Sequence, residues 1–333
     1  MGQQQAITRL TALWALNECG LGGLMFALHI PLTGIFVGGF AVVLIGLIAW
    51  YSRFSYKSLV KATVLVLIVK ATVSPHAPPP AYLAVAFQGL LGALLYSSIR
   101  NFTVASLLLA VLAMAESALQ KIIILTLIYG NSLWHALNKL FESIVRDLSL
   151  PASITFSYLV VGLYLLGHIL WGFVVGAYTA VLPGRIGRNT EAVLHFYKTL
   201  HPAGATVPLP GRRHRGYRFL YLVLLLVLLA AVLLWSDKQQ SYQVVIYVVL
   251  RSLVMVGLLF FVLRPLLQWL ILRWLRSRDG ATRQQAAALI GMLPGLRRLI
   301  RPAWQWARTG SRTRHSWSSF ILCLVILSLH EET

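Results

Sequence analysis

Acidic residues are scarce in this sequence, with 9 Asp and Glu against 29 Lys and Arg in 333 residues. Charge of either sign makes up 11% of the chain and hydrophobic residues 58%, whereas a water-soluble domain carries about a quarter charged residues. A soluble globular protein is therefore excluded for the chain as a whole. Cysteine is nearly absent. Cys19 and Cys323 lie far apart in apolar runs, which excludes a disulfide framework and a cysteine metal site and makes both small buried hydrophobes. Also missing are G-x-x-x-x-G-K-[ST], G-x-S-x-G and H-E-x-x-H, and with them the usual phosphate cradle, serine nucleophile elbow and zinc-protease helix. The 9 histidines are scattered, with no ligand pair at helical spacing; His168 reads as a satisfied interior group. No cofactor or metal is expected, the chain reads as a non-enzyme, and any ATPase that drives it has to be a partner.

What the sequence does have is a succession of apolar runs of about 20 residues, the length that crosses a bilayer as a helix. Strand-type alternation is missing, and helices satisfy their own backbone groups in lipid. The expected fold is an all-α polytopic membrane protein with eight spans near 9–30, 31–51, 58–74, 81–99, 102–129, 153–183, 217–235 and 241–263. MGQQQAITR lacks the basic region and cleavage site of a removable signal, so the first run is expected to stay. Placing the N-terminus in the cytoplasm puts most Lys and Arg on one side, including Arg53, Lys57, Lys61, Arg100, the 185–218 cluster and the arginines from Arg264 to Arg314. This satisfies the positive-inside rule and predicts both termini in the cytoplasm of a bacterial inner membrane, with anionic lipid as the partner of the basic segments. Nucleic acid is not expected.

Three units follow. Residues 1–183 form a six-helix bundle, 184–216 a basic Pro- and Gly-rich cytoplasmic linker, and 217–333 two spans followed by basic amphipathic helices. NSLWHALNKLFESIVRDLSLP, 131–151, predicts an amphipathic helix at the outer interface. RQQAAALIGMLPGLRRLIRPAWQWARTGSRTR mixes arginine and tryptophan with apolar residues and predicts helices along the inner surface or on a partner. The final SFILCLVILS is too short to cross comfortably.

Ionisable and amide groups inside spans carry the functional signal. A charge at a helix centre costs about 2.5 kcal/mol or more in lipid, so such groups face the bundle interior, pair, or line a cavity. Asn17 and Glu18 lie in the first span, Lys70 near the outer end of the third, Gln88 in the fourth, and Glu116, Gln120 and Lys121 in the fifth. Four helices thus deliver polar groups to the middle and outer half of the membrane. Either these groups form a solute cavity, with His76 in the Pro-rich loop at its mouth, or they are structural pairs with Lys70 snorkelling outward. Glu116 and Lys121, at i and i+5, are imperfectly aligned to neutralise one another.

The small-residue first helix LTALWALNECG, the segment HIPLTGIFVGG, and the Pro-rich loop leading to AYLAVAFQGLLGALL resemble the substrate-binding (S) components of energy-coupling factor vitamin transporters, over about residues 8–183. That resemblance implies a six-helix bundle opening a solute pocket outward and docking its first helix on a transmembrane subunit coupled to ATPases. It assigns the pocket to Glu18, Lys70, Gln88, Glu116 and Lys121 with the loop around His76, and the docking face to Ala12 and Ala15. Residues 184–333 exceed a minimal S component. Their WARTG offers a partial match, through Ala307 and Arg308, to the coupling helices of the transmembrane subunit, and Arg297 and Arg298 join them as candidate docking residues.

The leading expectation is a transporter component that captures a small anionic or zwitterionic, vitamin-like solute from outside. Its rival is a noncatalytic membrane scaffold or assembly factor acting through the basic cytoplasmic helices.

Overall fold

Proline and glycine punctuate the apolar runs, and between those breaks the backbone closes its own hydrogen bonds as helix. The computed structural model describes residues 2–28, 33–74, 77–147, 156–200, 242–263, 265–266, 269–270, 273, 280–309 and 316–330, and every element among them is helical. The chain begins with α1 (Gln3–Leu16), a π-helical turn π1 (Asn17–Leu21) and α2 (Gly22–Ala27). A second turn π2 (Gly34–Gly38) runs into α3 (Gly39–Tyr51), followed by α4 (Tyr56–Val73), α5 (Pro79–Ser98) and α6 (Phe102–Tyr129). Next come α7 (Asn131–Asp147), α8 (Phe156–Leu200), α9 (Tyr242–Gly257) and π3 (Leu258–Leu263). The chain closes with α10 (Gly280–Arg298), α11 (Ile300–Thr309) and α12 (Ser316–His330).

Local chemistry sets several boundaries. Ser55 caps α4, Asn101 Oδ1 caps α6 by accepting from Thr103 and Val104 N–H, and Pro79 opens α5 where its missing N–H costs nothing. Gly130 ends α6 at φ 69°; a Cβ there would also meet the Arg251 guanidinium, 2.5 Å from Nη1. Between α3 and α4, Arg53 and Phe54 adopt φ of 53° and 63° without being glycine. Phe54 is held there by the rings of Trp50, Phe102 and Tyr96 at 6.3, 6.0 and 6.4 Å.

Among the described residues four helical segments are long and apolar enough to cross a membrane: Gly34–Tyr51, Pro79–Ser98, Phe102–Tyr129 and Phe156–Leu200. Leu83, Phe87, Leu90 and Leu94 form an exposed stripe along α5, and Leu108, Leu112, Leu119 and Ile123 another along α6, surfaces suited to lipid. The number differs from the eight spans expected. The first run is helical over 3–27 through π1 but carries Arg9 and Glu18, α4 carries Lys57, Lys61 and Lys70, and the expected span 217–235 lies outside the described residues.

α6 and α8 form the most extensive helix pair. Gly172 and Gly176, one turn apart on α8, let the backbones touch: a Cβ at either would lie 2.8 Å from a Cα of α6, that of Val111 or Leu107. α3 sits at the centre against α1, α5, α6 and α8, and α1 lies against α3, α4, α10 and α12.

Two expectations change here. The linker was expected to start at 184, yet α8 continues as one 45-residue helix through Pro183 to Leu200. Across the proline it buries Leu182 just before it and Ile186 and Val193 beyond it, a helical stripe on a helix that packs on the C-terminal helices, and this burial offsets the lost backbone bond. The final apolar segment is α12, interior to the bundle: Cys323, Val325 and Ile326 have no exposed surface, and Arg9, itself buried, donates Nη1–H to Leu329 O at 2.8 Å. A helix packed inside protein need not reach across a bilayer, so its short length ceases to matter.

Candidate functional site

Where α4 ends and α5 begins, polar side chains from four parts of the chain converge on backbone freed by irregular helix. π1 places Asn17 and Glu18 at a wide turn, a geometry frequent at functional sites. Glu18 Oε2 accepts from Lys70 Nζ at 2.6 Å, and both side chains are buried, 6% and 5% exposed. Among the described residues it is the ion pair with both partners in view, and its length marks a charge-assisted bond. Lys70 Nζ also donates to Ala81 O at 3.2 Å and lies 5.9 Å from the Tyr82 ring centroid.

The carbonyls opening α5 are a junction. Pro80 O accepts from Gln120 Nε2 of α6 at 3.0 Å, beside Ala81 O, which takes Lys70. π2 is the second junction. Val37 O accepts from Asn17 Nδ2 at 2.9 Å, the Gln88 amide lies against Gly38 (3.1 Å from a Cβ placed there), and Gly34 abuts Ser117 of α6. The result is a closed circuit through π1, α4, the start of α5, α6 and π2, with Glu116 on α6 beside Ser117 and one turn before Gln120.

Among the described residues three buried side-chain polar atoms have no hydrogen-bond partner: Asn17 Oδ1 on π1, Nε1 of Trp14, one turn before Glu18, and Glu116 Oε2 on α6. Each unsatisfied buried group costs about 1–3 kcal/mol, so such atoms call for an explanation that packing alone does not give. The circuit offers a cation already held by a carboxylate, two spare acceptors and one spare donor. Among the described residues no three His, Cys, Asp or Glu side chains gather as a metal ligand set.

The structure brings Asn17, Glu18, Lys70, Gln88 and Gln120 into this circuit, with Glu116 adjoining it. Lys121 does not join. It is exposed, because the next residue on a helix is turned about 100° from its neighbour and Gln120 takes the inward direction. His76 lies outside the described residues. Of the docking candidates, Ala12 and Ala15 are wholly buried within the chain, so neither presents a free face to a partner. Arg297, Arg298 and Arg308 are exposed, while Ala307 is turned inward. His168 is buried with Nδ1 at 2.9 Å from Tyr164 O. Sequence reasoning missed Trp14, whose spacing of four from Glu18 was visible, and the Pro80 and Ala81 carbonyls, which carry no side-chain signal.

Compared with known proteins, the chain matches no family model, no curated sequence and no solved structure.

Proposed function

We propose that the chain is a component of a membrane transporter that captures a small anionic or zwitterionic, vitamin-like solute from the outer side, with energy coupling supplied by a partner ATPase. The observation that carries this reading is the buried Lys70–Glu18 pair, together with the unpartnered Asn17 Oδ1 next to Glu18 in sequence, Trp14 Nε1 one turn before it and Glu116 Oε2 on α6. A structural ion pair would leave no spare acceptors beside it. A zwitterion answers all of these groups, its N–H donors meeting Asn17 and Glu116 and its carboxylate competing with Glu18 for Lys70.

The finer topology belongs to the same proposal: eight crossings, both termini in the cytoplasm and a bacterial inner membrane. The resemblance to S components supports the capture role. The burial of α1 against α10 and α12 adds to it, since the C-terminal part then covers in cis the helix that an S component docks on its partner.

Reconstituted protein screened by calorimetry against water-soluble vitamins should bind one of them. Lys70→Ala should weaken that binding by roughly ten- to a hundredfold, as the loss of a bond to a charged donor implies. Unchanged binding would remove Lys70 from the site. The scaffold reading is favoured by one observation, the exposed Arg297, Arg298, Arg301 and Arg308. Charge-neutral substitution there separates the two readings, because a scaffold loses its partner while solute capture persists.

A further inference from the structure

α11 and the start of α12 present a surface whose chemistry the solute site does not use. α11 turns Pro302, Ala303 and Ala307 inward, and Trp306 meets Phe196 of α8 edge-on at 5.0 Å, so one face pins the helix to the bundle. The opposite face carries Arg301, Trp304 and Arg308 at i, i+3 and i+7, a single exposed stripe. Trp304 meets Trp317 and Phe320 of α12 at 5.6 and 5.8 Å, and Trp317 is 64% exposed. Indoles held partly outside the protein between arginines suit the boundary of a bilayer, where the ring is half solvated and the cations meet headgroups.

Charge names the occupant. No Asp or Glu occurs between residues 280 and 330, so the segment supplies no carboxylate of its own to these guanidinium groups. Arginine pairs well with phosphate, its planar fork matching two oxygens at once. We propose that α11 and the first turn of α12 lie in the membrane interface and bind anionic phospholipid headgroups between Arg301 and Arg308, with Trp304 and Trp317 at the edge of the acyl chains. This surface is separate from the solute site and stands whether or not that site captures a solute.

The test uses the full chain in phosphatidylcholine nanodiscs with or without a minor fraction of phosphatidylglycerol, counting co-purified lipid by native mass spectrometry. The wild type should keep phosphatidylglycerol in preference to phosphatidylcholine, and raised salt should reduce that preference. R301Q/R308Q should lose it by roughly fivefold per charge, about twenty-five-fold for the pair at low salt. K57Q/K61Q, which removes the same charge from exposed positions on α4, should keep it. The proposal is overturned if R301Q/R308Q retains the preference, which would leave the surface to an acidic protein. It is equally overturned if K57Q/K61Q loses as much, or if wild-type retention ignores salt.

Discussion

Lys70 and Glu18 hold one another at 2.6 Å in an apolar bundle, and removing either one leaves the other buried without its partner. Lys70→Met should cost about 3–5 kcal/mol, because it strands a carboxylate, whereas K70M/E18Q should recover most of that loss. Thermal unfolding of the purified variants gives the comparison; equal losses in the single and double variants would show that the two groups are not coupled. The pair was legible in the sequence only as two charges on different helices, since polar residues in apolar runs announce that they face inward but not whom they meet. Lys121 shows the opposite failure. It follows Gln120 directly, about 100° further round the helix, and sequence alone does not say which of the two turns inward.

At the scale of the element, glycine spacing decides how closely helices approach. Gly172 and Gly176 put α8 onto the backbone of α6, so Gly176→Leu forces the two apart by more than side-chain adjustment can absorb. The expected result is destabilisation of at least about 1–3 kcal/mol, the ordinary cost of overpacking, read as a lower unfolding midpoint. A midpoint within error of wild type would mean that α6 and α8 can separate without penalty. Much of the helical layout could be read from hydropathy: π2 with α3, α5 and α6 lie close to their expected bounds. The continuation of α8 past Pro183 could have been found from the spacing of Leu182, Ile186 and Val193. It was missed because proline and a basic run imitate a linker, and the apolar stripe is thin enough to pass as loop. The π turns left no trace beyond the glycines around them, as an added residue per turn is a property of packing rather than of composition.

For the whole molecule, the contact between Arg9 and Leu329 ties the first helix to the last. Arg9→Met removes the bond that holds the end of α12, and Cys323, now without exposed surface, should become reactive. Maleimide labelling with peptide mapping should show its rate rise roughly tenfold or more, as loss of a charged buried donor implies. Unchanged labelling of a folded variant would show that apolar burial alone keeps α12 in place. α10 and α12 both pack on α1, so deleting residues 280–330 would expose α1 and would not isolate a cytoplasmic function. Substitution of exposed arginines is the cleaner instrument.

The placement of α12 also has a consequence in time. During synthesis α1 is complete hundreds of residues before α12 exists, so Arg9 has to wait without the Leu329 carbonyl until α12 has been made. Closing so distant a contact is entropically slow. Ribosomes stalled before α12 should therefore hold a nascent bundle in which that face of α1 is still open to chaperones, and α12 would act as the clasp that ends that exposure.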